Sequence, residues 1–200
     1  MIIQVLDKEV SIKLPDEDIA ISVSGGCDSA LLLYLVYKEK IETNSDFSIT
    51  AVTIPNPADN AEKHAKDIVS YVSNLLNVNI PHEILEYTSS NAARTIKEPI
   101  IKLRESGRFR FIFGAQNQFP DELKFDKRFI DDQGLNDRRD PIPNMNYPFL
   151  HLYKNHIMNM YKQFGLLDML NITHSCVYES DFHCGECLWC VEKQWGLDNS

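Results

Sequence analysis

The chain has 200 residues, of which 44% are hydrophobic and 24% charged, so it contains enough apolar side chains for one core and is neither a disordered nor a fibrous chain. Its longest apolar run, Ala30–Tyr37, is too short for a membrane helix, which needs about 20 residues, and its first residues lack the basic region of a signal peptide. The 20 basic and 29 acidic residues leave a formal net charge of −9, which disfavours nucleic acids and anionic membranes as partners. We therefore expect a cytoplasmic protein that acts on a small molecule.

The predicted elements begin with a hairpin and continue as alternating strands and helices. Apolar and polar residues alternate around Ile2–Leu6 and Val10–Leu14, which is typical of paired strands. The pattern then predicts, in chain order, a strand at Ile19–Val23, a helix from Asp28 to about Lys40, a strand at Ser48–Ile54 and a helix whose apolar positions run from Ala61 to Leu76. A strand within Val78–Glu86 follows, in which Pro81 suggests a sheet edge or a bulge. A helix over Pro99–Ser106 and a strand at Phe109–Phe113 complete the series. This alternation predicts an α/β fold, in which a parallel sheet carries helices on both faces, as a single domain over residues 1–200.

The stretch Gly114–Pro148 has no sustained period, and a stretch this long is usually a functional loop or disorder. We expect it to cover the active site and to become ordered when substrate binds. Within it, Arg138 and Arg139 are candidates to clamp a carboxylate or a phosphate, or are simply solvated. A helical period returns at Leu150 and ends at Gly165, and a last short helix is predicted at Leu188–Leu197.

A glycine-containing turn, Ser24–Ser29, lies between the first buried strand and the helix that follows it. Glycines let the backbone turn sharply and approach a ligand, and a helix N-terminus favours an anion. Ser24 and Ser29 add hydroxyl donors, whereas Asp28 would repel a bare phosphate and therefore suggests a bridging Mg²⁺. The alternative is a tight strand–helix turn that Asp28 caps.

This turn, with the sequence Ser-Gly-Gly-Cys-Asp-Ser, resembles the signature of the PP-loop ATP pyrophosphatases, which cleave ATP between its α- and β-phosphates. The resemblance implies a fold like that of the adenine nucleotide alpha hydrolases and the adenylation of a carbonyl or carboxylate group. Ser24, Asp28 and Ser29 are then the candidate catalytic residues. The candidate ATP-binding residues are Ser24, Gly25, Gly26, Cys27, Asp28, Ser29, Thr53 and Lys154, of which Lys154 is a second contact for pyrophosphate. We interpret Cys27, at the variable position of the signature, as a small side chain packed under the turn rather than a nucleophile.

Four of the five cysteines crowd into the C-terminal segment 174–198, at Cys176, Cys184, Cys187 and Cys190. In a reducing compartment such a cluster indicates a metal site, and four thiolates satisfy Zn²⁺ completely, which makes the site structural. An iron–sulfur cluster also accepts four cysteines, and disulfides would form in an oxidising compartment. His174 and His183 could replace a ligand.

The two motifs together resemble the 7-cyano-7-deazaguanine synthase family. The likeness rests on the Ser-Gly-Gly-Cys-Asp-Ser turn, on Ser175-Cys176 and on the string His-Cys-Gly-Glu-Cys-Leu-Trp-Cys at 183–190, with Pro148-Phe149-Leu150, Lys154, Ile157 and Gly165 ahead of it. In that family the four cysteines hold a structural zinc, and the carboxylate of 7-carboxy-7-deazaguanine is activated by ATP and aminated by ammonia to the amide and then the nitrile. The sequence departs from the family at Ile54-Pro55-Asn56-Pro57, where Tyr-Gly-Gln is usual, and after the fourth strand, where a Gly-Tyr-Pro-Asp-Cys-Arg element is usual.

We therefore predict an ATP-dependent carbon–nitrogen ligase that adenylates 7-carboxy-7-deazaguanine or a related carboxylate, aminates it with ammonia and releases AMP and pyrophosphate. Its predicted cofactors are structural Zn²⁺ and Mg²⁺, with ATP as co-substrate. The alternatives are a PP-loop enzyme that transfers sulfur to tRNA and a non-catalytic nucleotide-binding module. The sequence leaves the oligomeric state open, a homodimer included.

Overall fold

The computed structural model describes residues 1–55, 60–86, 97–123, 145–176 and 182–200. Its strands are β1 (Ile2–Val5), β2 (Lys8–Ser11), β3 (Ile19–Ser22), β4 (Ile49–Thr53), β5 (His82–Ile84), β6 (Phe111–Phe113) and β7 (Met145–Asn146). Its helices are α1 (Cys27–Thr43), α2 (Ala61–Leu76), α3 (Lys97–Glu105), α4 (Lys154–Gln163), α5 (Leu167–Ile172) and α6 (Leu188–Asp198), with one turn of 3₁₀-helix at Asp121–Leu123. None of the helices in these ranges has the length and apolar character that crossing a membrane requires.

The main sheet has five parallel strands in the order β5-β4-β3-β6-β7, and β1 and β2 form a separate antiparallel hairpin. From the central strand β3 the chain first extends the sheet through β4 to β5, and then returns to the other side of β3 with β6. The turn after β3 therefore lies where the direction of winding reverses. In open parallel sheets this switch point, at the carboxyl ends of the strands, is where ligands bind.

Helices cover both faces of this sheet, and the alternation of side chains along β3 shows it. Ile19 and Ile21 point into the larger hydrophobic core, which contains the fully buried leucines of α1. Ala20, between them, points to the opposite face and packs in a second cluster with Ile100 of α3 and Phe109. A strand with apolar residues on both faces is typical of a parallel sheet between two helical layers.

The predicted fold class is confirmed: a parallel sheet lies between helices, with the four cysteines close together near the C-terminus. The hairpin is also confirmed, and Pro81 does precede an edge strand, β5. The short strand β7 and the helix α5 were not predicted. The period that starts at Leu150 places the helix too early, because the amides of Leu150 and Leu152 donate to Tyr147 and Phe149 in turns before α4 begins.

Part of the stretch predicted to cover the active site lies outside the described residues, including Arg138 and Arg139. So do Asn56 and Pro57. The described ends of the stretch contain the 3₁₀ turn and β7 rather than irregular chain alone. Its first residues lie against the C-terminal helix, because Phe119 contacts Trp189 with a distance of 5.8 Å between ring centroids.

Candidate nucleotide site and metal centre

The turn Ser24–Ser29 leaves the carboxyl end of β3 and leads directly into α1. Gly25 has a φ angle of +82°, and a Cβ atom there would lie 2.8 Å from the carbonyl carbon of His64 and 2.9 Å from the amide nitrogen of Ala65. Glycine is therefore required both by the left-handed backbone and by the close approach of α2.

Gly26 is the N-cap of α1, and no side chain caps that end of the helix. The first amides of α1 and its dipole thus remain suited to an anion. We name Ser24–Ser29 the phosphate loop.

The two serines of the phosphate loop form hydrogen bonds within it that stabilise its conformation. The hydroxyl of Ser29 lies 3.1 Å from the Gly26 carbonyl, to which it donates, and accepts the amide of Ser24 at the same distance. The two serine oxygens are also 3.1 Å apart. Ser29 is buried, whereas Ser24 is exposed, so Ser24 is the serine that a ligand can reach.

The side chains of Asp28 and Lys154 meet at the mouth of the phosphate loop, although they are far apart in sequence. The Nζ atom of Lys154 lies 2.7 and 2.6 Å from the two carboxylate oxygens of Asp28. On its other side, a carboxylate oxygen of Glu192 lies 3.4 Å away. Burial disfavours the charge of Lys154, but the two carboxylates outweigh it and raise the pKa of the ammonium group. Lys154 is therefore a buried cation between two acids, of which only Asp28 is partly exposed.

Two neighbours fix Glu192 and the helix that carries it. The side-chain Nδ2 of Asn117 donates to a carboxylate oxygen of Glu192 at 2.9 Å, which links the chain after β6 to α6. One turn further along α6, a Cβ atom on Gly196 would lie 2.6 Å from Cγ of Lys154 and 3.0 Å from its carbonyl carbon. The absence of a side chain at Gly196 lets α6 approach α4 closely enough for Glu192 to reach Lys154.

Cys27 is buried beneath the phosphate loop. Burial, together with the nearby Asp28 carboxylate, raises the pKa of its thiol to about 11. Its backbone carbonyl accepts the hydroxyl of the buried Tyr161 at 2.7 Å, which pins the start of α1 to α4. A thiol that stays protonated at neutral pH is a poor nucleophile, which agrees with a packing role.

Thr53, at the carboxyl end of β4, is fully buried. Its hydroxyl donates to the carbonyl of Val23 at 2.7 Å and is hydrogen-bonded to the ring of His82 at 2.8 Å. It therefore links β4 to the end of β3 and to β5, directly behind the phosphate loop. An ATP-binding role for Thr53 stays a prediction.

The four C-terminal cysteines converge, with all their Sγ atoms within 4.8 Å of one another. Cys184 and Cys190 are 3.9 Å apart, and Cys176 and Cys187 are 4.0 Å apart. The amide of Cys187 donates to the Cys184 sulfur at 3.2 Å, across a turn in which Gly185 has a φ angle of +76°. None of the four forms a disulfide. Neither His174 nor His183 belongs to the cluster.

The cysteine cluster and the phosphate loop are joined by the residues just before Cys176. The amide of His174 donates to the Gly25 carbonyl at 3.0 Å, and the hydroxyl of Ser175 lies 3.8 Å from the Cys27 sulfur. The ring of His174 stacks between those of His64 and His183, with centroid distances of 4.2 and 5.1 Å. The residues around the four cysteines, 174–176 and 182–193, which we name the cysteine segment, therefore form one wall of the phosphate loop.

The sequence analysis predicted the phosphate loop, Lys154 and the four cysteines as site residues. It did not predict Asn117, Glu192 and Gly196, which the chain after β6 and α6 bring close to Lys154, nor the stacking of His174 between His64 and His183. The spacing of the cysteines gave a signal for the start of α6, but nothing in the sequence places its next turn against Lys154.

We compared the sequence and the fold with known proteins. No protein-family model matches the sequence. No curated protein matches it. Among solved structures, the U34-tRNA thiolase NcsA from Methanococcus maripaludis, which carries a [4Fe–4S] cluster, superposes with a TM-score of 0.50 and 13% identity, over 90% of this chain and 64% of that one. The chain shares the thiolase's fold. It spans less than two thirds of the thiolase's length. The NAD⁺ synthetase from Burkholderia pseudomallei gives a TM-score of 0.44 and 15% identity, over 92% of this chain and 79% of that one.

Proposed function

We propose that this chain is an ATP pyrophosphatase of the PP-loop type, organised as one domain, and that the phosphate loop binds the β- and γ-phosphates of ATP. The observation that carries this proposal is the meeting of Asp28 and Lys154 at an uncapped helix N-terminus, at the switch point of a parallel sheet. A helix N-terminus binds anions, and a carboxylate beside it accommodates a hard cation that accompanies the phosphates.

The proposed mechanism stabilises the negative charge that develops on pyrophosphate as it leaves. A substrate carboxylate oxygen attacks the α-phosphorus, the bond to the bridging oxygen breaks, and pyrophosphate leaves with the negative charge. The amides of the phosphate loop and the Ser24 hydroxyl would stabilise that leaving group, and Lys154 would add its positive charge from behind Asp28. Ammonia then attacks the acyl carbon of the adenylate and displaces AMP, which leaves an amide.

The residues present fit both predicted metals. Asp28 would hold Mg²⁺, whose contribution is to neutralise charge on the phosphates, and its partly exposed carboxylate is accessible for that purpose. Four thiolates that bind one tetrahedral zinc at about 2.3 Å lie about 3.8 Å apart. Two of the six sulfur pairs, at 3.9 and 4.0 Å, match this spacing, and all six lie within 4.8 Å. In a cuboidal iron–sulfur cluster each thiolate binds a different iron on the outside of a larger body, so the sulfur atoms of the ligands lie further apart.

We further propose that the substrate is 7-carboxy-7-deazaguanine or a related carboxylate and that the product is its amide or nitrile. The sequence around both motifs supports this assignment. The test is to incubate the protein with Mg-ATP, ammonium and 7-carboxy-7-deazaguanine and to identify the products by mass spectrometry. We expect a product in which nitrogen replaces carboxyl oxygen, with one AMP released for each amide and two for each nitrile. Pyrophosphate release without a nitrogen-containing product would contradict 7-carboxy-7-deazaguanine as the substrate and would indicate another carboxylate.

A second function, transfer of sulfur to tRNA, is favoured by the position of the cysteine cluster beside the phosphate loop, in a fold that a U34-tRNA thiolase shares. The two functions differ in their metal and their acceptor. A protein that contains iron and sulfide and modifies tRNA in the presence of ATP would establish the second function. A protein that binds ATP but releases no pyrophosphate with either acceptor would be a non-catalytic nucleotide-binding module.

A further inference from the structure

A second lysine, Lys193, lies next to the phosphate loop on the wall formed by the cysteine segment. Its Nζ atom is 3.4 Å from the carbonyl oxygen of Thr173 and 3.2 Å from the hydroxyl of the same residue. The next residue, His174, is the one whose amide donates to the Gly25 carbonyl of the loop. The ammonium group of Lys193 is therefore held one peptide away from the backbone contact with the phosphate loop.

Lys193 differs from Lys154 in what neutralises its charge. Lys154 lies between the carboxylates of Asp28 and Glu192, whereas within the described ranges of the chain no carboxylate oxygen lies within 4.0 Å of Lys193. The groups that do contact Lys193 are the two oxygens of Thr173 and, at 3.4 Å, the Nε2 atom of His183.

A half-buried ammonium group without an ion-pair partner is costly, because the hydration that it loses is not replaced by an opposite charge. Burial accordingly lowers the pKa of Lys193, and the positive charge of Lys154 acts in the same direction, whereas Cys27, Cys190 and Asp28 oppose this shift without cancelling it. A phosphate group at the loop would supply the missing negative charge. Two lysines near one anion would also share the charge of a pyrophosphate better than one lysine does.

We propose that Lys193 is a second phosphate-binding cation, which contacts the pyrophosphate part of ATP from the wall that carries the metal ligands. This inference rests on the proposed binding of ATP phosphates at the phosphate loop. It also gives the cysteine segment a direct part in binding, because Lys193 lies three residues after Cys190, on the helix that begins within the cysteine cluster.

The test is calorimetric titration of the full-length, metal-containing protein with magnesium pyrophosphate, with Mg-ATP and with AMP. In Lys193→Met we expect binding of pyrophosphate and of ATP to weaken by about tenfold or more, because a charged hydrogen bond is lost, and binding of AMP to change by less than about twofold. Lys193→Gln keeps a donor for Thr173 but lacks the charge, so it should behave like Lys193→Met. Lys193→Arg keeps the charge and should retain most of the affinity.

The matched control is Lys40→Met. Lys40 is half-buried to a similar degree and donates to a carbonyl oxygen, that of Ser45 at 2.8 Å, but it lies at the far end of α1 from the phosphate loop. We expect wild-type binding in this variant. If Lys193→Gln binds pyrophosphate as tightly as the wild type, or if AMP affinity falls as much as pyrophosphate affinity, the proposal is wrong. If the wild-type protein itself binds neither ATP nor pyrophosphate, the proposed function fails first.

A measurement on the wild-type protein removes any dependence on how the variants fold. Lysine side chains are acetylated briefly with and without saturating magnesium pyrophosphate, and each site is quantified by mass spectrometry. We expect pyrophosphate to protect Lys193 by about threefold or more, and to leave Lys40 unchanged. Equal labelling of Lys193 in both states, under conditions where pyrophosphate is shown to bind, would contradict the proposal.

Discussion

The phosphate loop and the cysteine segment form two sides of one site but have different supports. The loop continues into the largest hydrophobic core, where Val23, Cys27 and Ala30 are buried among the side chains of α1, α2 and α4. The cysteine segment has only small apolar clusters, one made by the cysteines with Trp189 and one by Leu188 with Phe119. The difference teaches that hydrophobic packing supports the loop, whereas we expect the wall beside it to depend on the metal ion proposed for the cysteine cluster.

Loss of the metal should have the largest effect, because it removes the support of the whole wall. We expect one zinc and no iron per chain by elemental analysis, and we expect Cys187→Ser or chelation to abolish pyrophosphate release and to lower the melting temperature. The far-ultraviolet circular dichroism should change little, since the sheet core remains. The control is Cys27→Ser, which removes a cysteine outside the cluster. Full activity of the metal-free protein would mean that the wall does not need a metal.

Gly25→Ala tests the other side, where the fold holds the loop. The left-handed φ angle alone costs about 1–2 kcal/mol with a side chain present, and the collision with the backbone of α2 adds to it. The matched control is Gly107→Ala, since Gly107 has a φ of +70° but open space around the position of a Cβ atom. We expect Gly25→Ala to lower the melting temperature more than the control and to lose nucleotide binding. Equal melting temperatures in the two variants would show that the close approach to α2 does not matter.

Gly196→Ala tests the contact that joins the two sides. Helix propensity alone predicts that alanine stabilises the protein by about 1 kcal/mol, whereas the collision with Lys154 predicts destabilisation by about 1–3 kcal/mol. We expect destabilisation in chemical denaturation and slower pyrophosphate release, because α6 must move away from Lys154. Gln194→Ala, on an exposed position of the same helix, is the control. An increase in stability for Gly196→Ala would mean that α6 does not pack closely on Lys154.

Substitution of Cys27 should have the smallest effect on activity and stability. Its pKa of about 11 means that the thiol is protonated at and below neutral pH and becomes a thiolate only as the pH rises through that value. Iodoacetamide should therefore leave Cys27 unmodified in the native protein at pH 7.5, whereas it should modify all five cysteines after unfolding with a chelator present. Cys27→Ala should retain activity within about twofold and lose about 1 kcal/mol of stability. Loss of all activity in a folded Cys27→Ala protein would instead indicate a nucleophile.

The sequence predicts most of the residues that form the phosphate loop, but fewer of those that the cysteine segment and α6 bring to the site. The phosphate loop is local, so six consecutive residues between a strand and a helix are sufficient to predict it. The cysteine cluster is predictable because the spacing of its ligands is itself local. Glu192 and Lys193 were not predicted, because α6 reaches the site through its packing on α4, which depends on the missing side chain at Gly196. Asn117 was not predicted, because it lies after β6 and reaches the site through its hydrogen bond to Glu192. The strand β7 has two residues, too few for any alternation to be visible.

The most direct test of the central claim, that the phosphate loop binds ATP for cleavage between the α- and β-phosphates, is phosphorus NMR of Mg-ATP turnover with ammonium and the carboxylate substrate. We predict AMP and pyrophosphate in equal amounts for the wild-type protein. We predict a rate at least about a hundredfold lower for Asp28→Asn, which loses the charge at the mouth of the loop. Asp168→Asn, which changes an acidic residue in the first turn of α5, should keep the wild-type rate. Formation of ADP and phosphate, or an unchanged rate in a folded Asp28→Asn protein, would contradict the account.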